Sequence, residues 1–179
     1  MTGENINTDT GIGIETRGLG HCSEAFLMVY CSIMKEMTIT EVSELGSVVK
    51  EVMRVIKERK DSGAATVLAL HGDLGAGKTT FTQTLARTLG VEETVTSPTF
   101  VIMKGYELHD QPFEKLIHID AYRIEDIDEM RPLGFSTLLE EKSTIMCIEW
   151  AEHIAALLPA DVINITFKTK EENRRVIID

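Results

Sequence analysis

Apolar residues recur at helix and strand spacings from residue 37 onward, and they predict alternating helices and strands. Residues 40–58 predict an amphipathic helix, because apolar side chains return every three or four positions: Val42, Leu45, Val49, Val52 and Ile56. Charged residues between them, including Glu51, are expected to face solvent. Residues 66–70 lack polar alternation, which predicts a strand covered on both faces.

The second half of the chain continues this alternation. Further strands are predicted at residues 100–106, 116–120 and 145–149, with one helix after residue 80 and a short helix at 151–158. A closing hairpin is predicted at residues 161–168 and 174–178. The expected fold class is therefore α/β, a three-layer domain with a mostly parallel central sheet and antiparallel edge strands.

Composition and charge limit the class of protein. The 179 residues suffice for one domain, and 43% hydrophobic with 26% charged residues is typical of globular proteins. No apolar run is long enough to span a bilayer, so we expect no membrane partner. Lysine and arginine number 18 against 29 acidic residues, and the net charge of -11 disfavours direct nucleic-acid binding. Three cysteines without paired spacing argue against a disulfide framework or zinc site, and we expect a cytoplasmic location.

Residues 1–36 differ in composition from the remainder of the chain. They contain five glycines and few apolar residues before a short run at residues 25–34. This composition predicts a poorly ordered N-terminal extension, dispensable for a domain at residues 37–179. Met34 and Met37 are both candidate starting residues.

Residues 72–80 carry the most specific functional signal. Their pattern is that of a P-loop, whose backbone N–H groups wrap nucleotide phosphates: Gly72, Asp73, Leu74, Gly75, Ala76, Gly77, Lys78, Thr79 and Thr80. Glycines permit the tight backbone curl, and the N-terminus of the following helix offers unpaired N–H groups. In this pattern Lys78 reaches the terminal phosphates and the Thr79 hydroxyl holds magnesium. The expected domain is therefore P-loop NTPase-like.

Two predicted strands end in a carboxylate, at Asp120 and at Glu149. Because the carboxyl ends of parallel strands open beside the phosphate loop, one or both acids should face the metal. A solvated acid at a strand end is the alternative for either residue taken alone. His118 lies on the same strand face as Asp120 and is interpreted as a hydrogen-bonding neighbour or a filler, since magnesium prefers oxygen ligands.

Two further features have open interpretations. The segment Ser97, Pro98 and Thr99 is either a switch loop that orders on the γ-phosphate or a plain hydroxyl-rich turn. Trp150 follows Glu149 directly, and its ring either contacts a nucleotide base or partner or is simply packed.

Together these motifs resemble the TsaE family, formerly YjeE, of P-loop ATPases that take part in forming threonylcarbamoyladenosine on tRNA. The resemblance rests on residues 72–80, 97–100, 118–123 and 148–150, in that order, and covers about residues 37–179. It implies that Thr79, Asp120 and Glu149 surround Mg²⁺. It also implies that residues 97–99 are a switch loop and that Trp150 lies near the nucleotide.

The family resemblance further implies a function and partners. TsaE proteins work beside transferase subunits of the TsaB and TsaD type, which hold the tRNA, and ATP hydrolysis resets that assembly. We expect Lys78, the loop amides and Mg²⁺ to neutralise charge on the γ-phosphate while Glu149 or Asp120 positions water. Hydrolysis without partners should be slow, because no arginine stands out as a finger in the chain, although Arg123 is a candidate.

Three other readings share the same P-loop. A small-molecule kinase would need an arginine-rich lid, and none is evident between Arg123 and Asp161. A GTPase is disfavoured because no Asn-Lys-x-Asp motif is present. A nucleotide-gated binding module, in which hydrolysis is incidental, is compatible with the sequence.

Overall fold

A computed structural model of the chain describes residues 34–59, 63–170 and 173–179, so most of the predicted extension lies outside the described residues. Within them, one sheet contains seven strands: β1 Lys35–Ile39, β2 Thr66–His71, β3 Met103–Glu107, β4 Lys115–Asp120, β5 Thr144–Glu149, β6 Ile163–Lys170 and β7 Asn173–Ile178. The α-helices are α1 Leu45–Glu58, α2 Lys78–Thr88 and α3 Phe135–Leu139, and 3₁₀-helices cover Val42–Glu44, Ile127–Met130 and Ala151–Leu157. No helix in these ranges has the length and apolar character needed to cross a membrane.

The strand order is β1-β7-β6-β2-β5-β4-β3. The four central strands β6, β2, β5 and β4 are parallel. At one edge β3 runs antiparallel to β4, and at the other β7 runs antiparallel to β6 and β1 antiparallel to β7. The predicted mixed sheet is therefore confirmed. Strand β5 lies between β2 and β4, so the carboxyl ends of these three strands are neighbours at one edge of the sheet.

Each face of the sheet has its own hydrophobic core. Along β2, Leu68 and Leu70 pack into the core that α1 and α2 cover, whereas Val67 and Ala69 pack into the core on the opposite face. The second core is completed by residues of α3 and the 3₁₀-helices, including Phe135. This two-sided burial explains why residues 66–70 show no polar alternation.

The start of the first helix differs from the prediction. The Glu44 carboxylate accepts hydrogen bonds from the backbone N–H groups of Thr40 at 2.6 Å and Glu41 at 3.1 Å, which stabilises a 3₁₀ turn before α1. In this turn Val42 is 53% exposed, so its predicted place on the buried face is wrong. Val48 is buried on α1 instead.

Strand β3 begins three residues later than predicted. The carbonyl of Pro98 accepts the backbone N–H groups of Val101 at 2.9 Å and Ile102 at 2.6 Å, and Ile102 has a φ of 65°. This turn holds residues 100 and 101 out of the sheet, whereas the Ile102 carbonyl still accepts the backbone N–H of Asp120 at 2.9 Å. Phe100, expected within a strand, is consequently 86% exposed.

Strand β1 was not predicted, and an ion pair with Glu51 connects it to α1. Arg54 donates to Glu51 Oε1 at 2.6 Å, and Lys35 on β1 lies 3.0 Å from the same oxygen. The Glu51 side chain is only 12% exposed, so its predicted solvent-facing position is wrong. The hydrogen bond from Arg54, with help from Lys35, lowers the pKa of Glu51 to about 2.

We therefore expect a pH-dependent contribution to stability from Glu51. A depressed carboxyl pKa stabilises the fold fully above the unfolded value of 4.5, and this stabilisation is lost as the pH falls toward 2. Glu51→Gln should lower the free energy of unfolding by about 1 kcal/mol at pH 7, measured by urea denaturation, because its partners are half exposed. Glu58→Gln removes the other, exposed partner of Arg54 and should cost less than half as much. A Glu51→Gln effect of equal size at pH 3 and pH 7 contradicts this account.

Candidate functional site

A cleft of about 360 Å³ opens at the carboxyl ends of β2, β4 and β5. Four separate segments line it: Leu74, Gly75, Gly77, Lys78, Thr79, Thr80, Ser97, Thr99, Asp120, Tyr122, Glu149 and Trp150. The structure thus brings together most of the residues predicted from sequence. Gly72, Asp73 and Ala76 belong to the same loop, and Pro98, between Ser97 and Thr99, is buried.

The glycines of the loop between β2 and α2 are required by its backbone. Gly72, Gly75 and Gly77 all have positive φ, at 133°, 77° and 112°. A Cβ atom on Gly72 would also collide with the backbone carbonyl of Phe167 on β6. The loop therefore leaves β2 in close contact with β6, and α2 begins directly after Gly77.

Lys78 lies inside the curve of this loop. Its side-chain ammonium donates to the carbonyls of Gly72 at 2.6 Å and Asp73 at 2.9 Å, and only 4% of the residue is exposed. Nζ also lies 3.9 Å from the centroid of the Trp150 ring. Burial lowers the pKa of Lys78, and the charge of Glu149 opposes that shift. The cation is therefore held between backbone dipoles and an aromatic face at the bottom of the cleft.

Glu149 joins three elements through its carboxylate. The Thr79 hydroxyl, in the first turn of α2, donates to Oε2 at 2.8 Å. Oε1 lies 2.8 Å from Nε2 of His118 on β4. Glu149 is 3% exposed and His118 is fully buried. Of the two interpretations of His118, the hydrogen-bonding neighbour is the one observed.

Asp120 is the register partner of Glu149 on the neighbouring strand, and the two acids share one sheet face. Its Oδ2 accepts from the hydroxyls of Ser97 at 2.9 Å and Thr99 at 2.5 Å, while Oδ1 accepts the backbone N–H of Tyr122 at 3.1 Å. The predicted switch segment is thus anchored on one of the two predicted metal-binding carboxylates.

Aromatic and aliphatic side chains surround the mouth of the cleft. The ring centroids of Trp150 and Tyr122 are 5.1 Å apart. Four exposed apolar residues, here called the apolar rim, are Leu74, Phe100, Val101 and Tyr122. Arg123 lies over the Phe100 ring at 4.7 Å, which places this finger candidate on the rim. The rim was not predicted from the sequence, since nothing in the local pattern indicates that side chains at residues 100 and 101 point into solvent.

The donors in the cleft suit a hard cation. Thr79, Asp120 and Glu149 supply only oxygen atoms, which are the ligands that Mg²⁺ prefers. In the part of the chain that the structure describes, no cluster of three or more His, Cys, Asp or Glu side chains could hold a metal by itself. A cation here would therefore need phosphate or water oxygens to complete its coordination, as Mg²⁺ commonly does.

The fold and the cleft together define an α/β protein with a polar site at the carboxyl ends of a mostly parallel sheet. A sequence model of the family described as threonylcarbamoyl adenosine biosynthesis protein TsaE matches residues 39–177. The chain belongs to the TsaE family.

Individual relatives support this membership. The Bacillus subtilis tRNA threonylcarbamoyladenosine biosynthesis protein TsaE is 41% identical over 111 residues, covering 62% of this chain and 66% of its own length. The TsaE protein of Aquifex aeolicus is 32% identical over 147 residues, covering 81% of this chain and 95% of its own length. The crystal structure of Bacillus subtilis YdiB matches with a TM-score of 0.59 and 29% identity, over 81% of this chain and 84% of YdiB.

The backbone of the loop gives a direct prediction for Gly72. Gly72→Ala should lower the free energy of unfolding by at least about 2 kcal/mol, because the substitution combines a strained positive φ with a collision against the Phe167 carbonyl. Gly46→Ala is the matched control, because a Cβ atom there meets no neighbour in α1. It should raise the free energy of unfolding by about 0.5 to 1 kcal/mol, since alanine favours the helix over glycine. Thermal and urea denaturation measure both. Equal effects of the two substitutions would rule out the proposed close contact.

Proposed function

We propose that this protein binds ATP with Mg²⁺ in the cleft and hydrolyses it as a component of the machinery that forms threonylcarbamoyladenosine on tRNA. Hydrolysis would drive turnover of a partner transferase complex. The observation that carries the proposal is the convergence of the residue 72–80 loop, Asp120 and Glu149 in one cleft of a TsaE-family chain.

The environment of Lys78 supports phosphate binding. Its ammonium is bound by two neutral carbonyls, and an anionic phosphate oxygen forms a stronger, charge-assisted hydrogen bond. The same loop leads into the N-terminus of α2, where free N–H groups and the helix dipole favour an anion. A triphosphate would therefore displace the Gly72 and Asp73 carbonyls from Lys78 and release the ammonium toward the cleft.

The roles of the acids follow from their positions. Mg²⁺, when bound, neutralises charge that develops on the transferred phosphoryl group. The Thr79 hydroxyl and the carboxylates of Asp120 and Glu149 are the groups that would hold it. One of these carboxylates would also orient the attacking water. Ser97 and Thr99 both donate to Asp120. Binding of a cation to that carboxylate would therefore move residues 97–99, which is the behaviour expected of a switch loop.

The surface of the protein supports work within a larger assembly. The apolar rim exposes Phe100 at 86% and Val101 at 63%, beside the cleft, as a protein-binding surface would. The net charge of -11 opposes direct contact with tRNA. We therefore propose that subunits of the TsaB and TsaD type bind this protein and that tRNA is reached only through them.

ATP turnover tests the proposal. The purified protein should release phosphate slowly, and added TsaB- and TsaD-type subunits should raise the rate by about tenfold or more. Lys78→Ala should lower the stimulated rate by at least about a hundredfold, because it removes the cation that contacts the phosphates. Lys57→Ala, which removes a lysine from the end of α1, is the control and should leave the rate unchanged.

Other outcomes of that assay would replace the proposal. An ATP turnover rate that is unchanged by the partner subunits but rises with a phosphate-accepting metabolite would indicate a small-molecule kinase. Nucleotide-dependent association with the partners, without any turnover, would indicate a nucleotide-gated binding module.

The rim gives a separate prediction. Val101→Asp should weaken partner stimulation by about tenfold, because it places a charge in an apolar contact, and it should leave ATP turnover without partners unchanged. Val42→Asp makes the same change at an exposed valine near the opposite edge of the sheet and should leave stimulation intact. Stimulated rates as a function of partner concentration measure both. Equal responses of the two variants would exclude the rim as the docking surface.

A further inference from the structure

His118 is a buried polar residue whose side chain makes one hydrogen bond in the described structure. Its side chain has no exposed area, and Nε2 lies 2.8 Å from Glu149 Oε1. Among the described residues, its Nδ1 is one of two buried side-chain polar atoms without a hydrogen-bond partner, the other being the Tyr106 hydroxyl. An apolar side chain would fill this position without burying an unpaired nitrogen. The contact with Glu149 is therefore the feature that requires an imidazole.

The partners of the ring indicate its tautomer. A carboxylate accepts hydrogen bonds, so the proton of a neutral imidazole is assigned to Nε2, where it is donated to Glu149. Nδ1 then carries a lone pair and no hydrogen, which leaves no buried N–H without an acceptor. The ring enters the site from β4, whereas Glu149 ends β5, so the bond crosses between two parallel strands.

We propose that His118 is a positioning residue that holds Oε1 of Glu149, so that only Oε2 faces Thr79 and the cleft. This assignment rests on the proposed ATP hydrolysis, and it distinguishes the two acids. Glu149 is fixed by a buried ring on the sheet, whereas Asp120 is bound at Oδ2 by hydroxyls of the loop at residues 97–99 and at Oδ1 by the backbone N–H of Tyr122. Glu149 is thus the acid with a constant orientation, and Asp120 is the acid whose surroundings change when the loop moves.

Two substitutions separate positioning from simple packing. The amide of glutamine reaches about as far as Nε2 and can donate to Glu149, so His118→Gln keeps the bond. The shorter asparagine amide reaches only as far as Nδ1, so His118→Asn keeps polarity and loses the bond. Both variants remove the ring, and asparagine leaves a larger cavity than glutamine, so urea denaturation of both variants measures the packing loss separately from the loss of the bond.

The first test is ATP turnover with the partner subunits present. His118→Asn should lower kcat by about 10- to 100-fold, the range for groups that orient a metal-site ligand, and His118→Gln should remain within about threefold of wild type. The Kd for ATP without Mg²⁺, followed by Trp150 fluorescence, should change by less than about threefold in both variants, since neither alters the phosphate loop. In a Glu149→Gln background, His118→Asn should add little further loss. Equal losses in the two His118 variants, or no loss in either, would overturn the proposal.

A second test does not depend on activity. In the isolated protein, NMR of ¹⁵N-labelled histidine should show a slowly exchanging proton on the buried Nε2, whose resonance shifts in Glu149→Gln and persists in Asp120→Asn. If wild type hydrolysed no ATP with any partner, the proposed function would fail, and this resonance would decide the role of His118 alone. A Nε2 proton that is insensitive to Glu149→Gln would overturn the assignment.

Discussion

The two hydrogen bonds of the Glu149 carboxylate connect β4, β5 and α2 at one point. A carboxylate that is 3% exposed must be paired, because an isolated buried charge costs several kcal/mol. Its partners Thr79 and His118 can both reach it only if α2 begins directly after the glycine loop and β4 pairs with β5 in the observed register. The positions of the loop, the helix and the two acidic strand ends are thus mutually dependent.

Much of this arrangement could be predicted from the sequence, because each part follows a local rule. The glycine spacing of residues 72–80 requires a curled backbone, and the positive φ angles of Gly72, Gly75 and Gly77 agree with it. The two-residue period of a strand places His118 on the same face as Asp120, and parallel pairing places Asp120 beside Glu149. The first of these inferences is local, whereas the second depends on the pairing of β4 with β5.

The features that were missed depend on such contacts. Strand β1 is short and partly charged, and it is stabilised by pairing with β7, which lies more than 130 residues away in the chain and includes an ion pair from Arg175 to Glu36 at 2.7 Å. The late start of β3 results from one carbonyl, that of Pro98, accepting two N–H groups. The position of Lys78 over Trp150 joins two loops that have no pattern in common. Pairing and packing between distant segments decide each case, and hydrophobic periodicity carries no information about them.

Glu149 and Asp120 have different hydrogen-bond partners, and this difference suggests how the rim and the cleft are coupled. Phe100 and Val101 immediately follow Thr99, whose hydroxyl donates to Asp120, so a partner at the rim would act on that carboxylate through one or two residues of backbone. The Glu149 carboxylate itself is bound by a buried ring and by the first turn of α2. A partner bound at the rim would therefore change the surroundings of one acid while the other keeps its orientation. Electrostatic stabilisation depends on groups that are already in place, so under the proposed function one fixed and one adjustable acid would let the site change state while its other groups keep their positions.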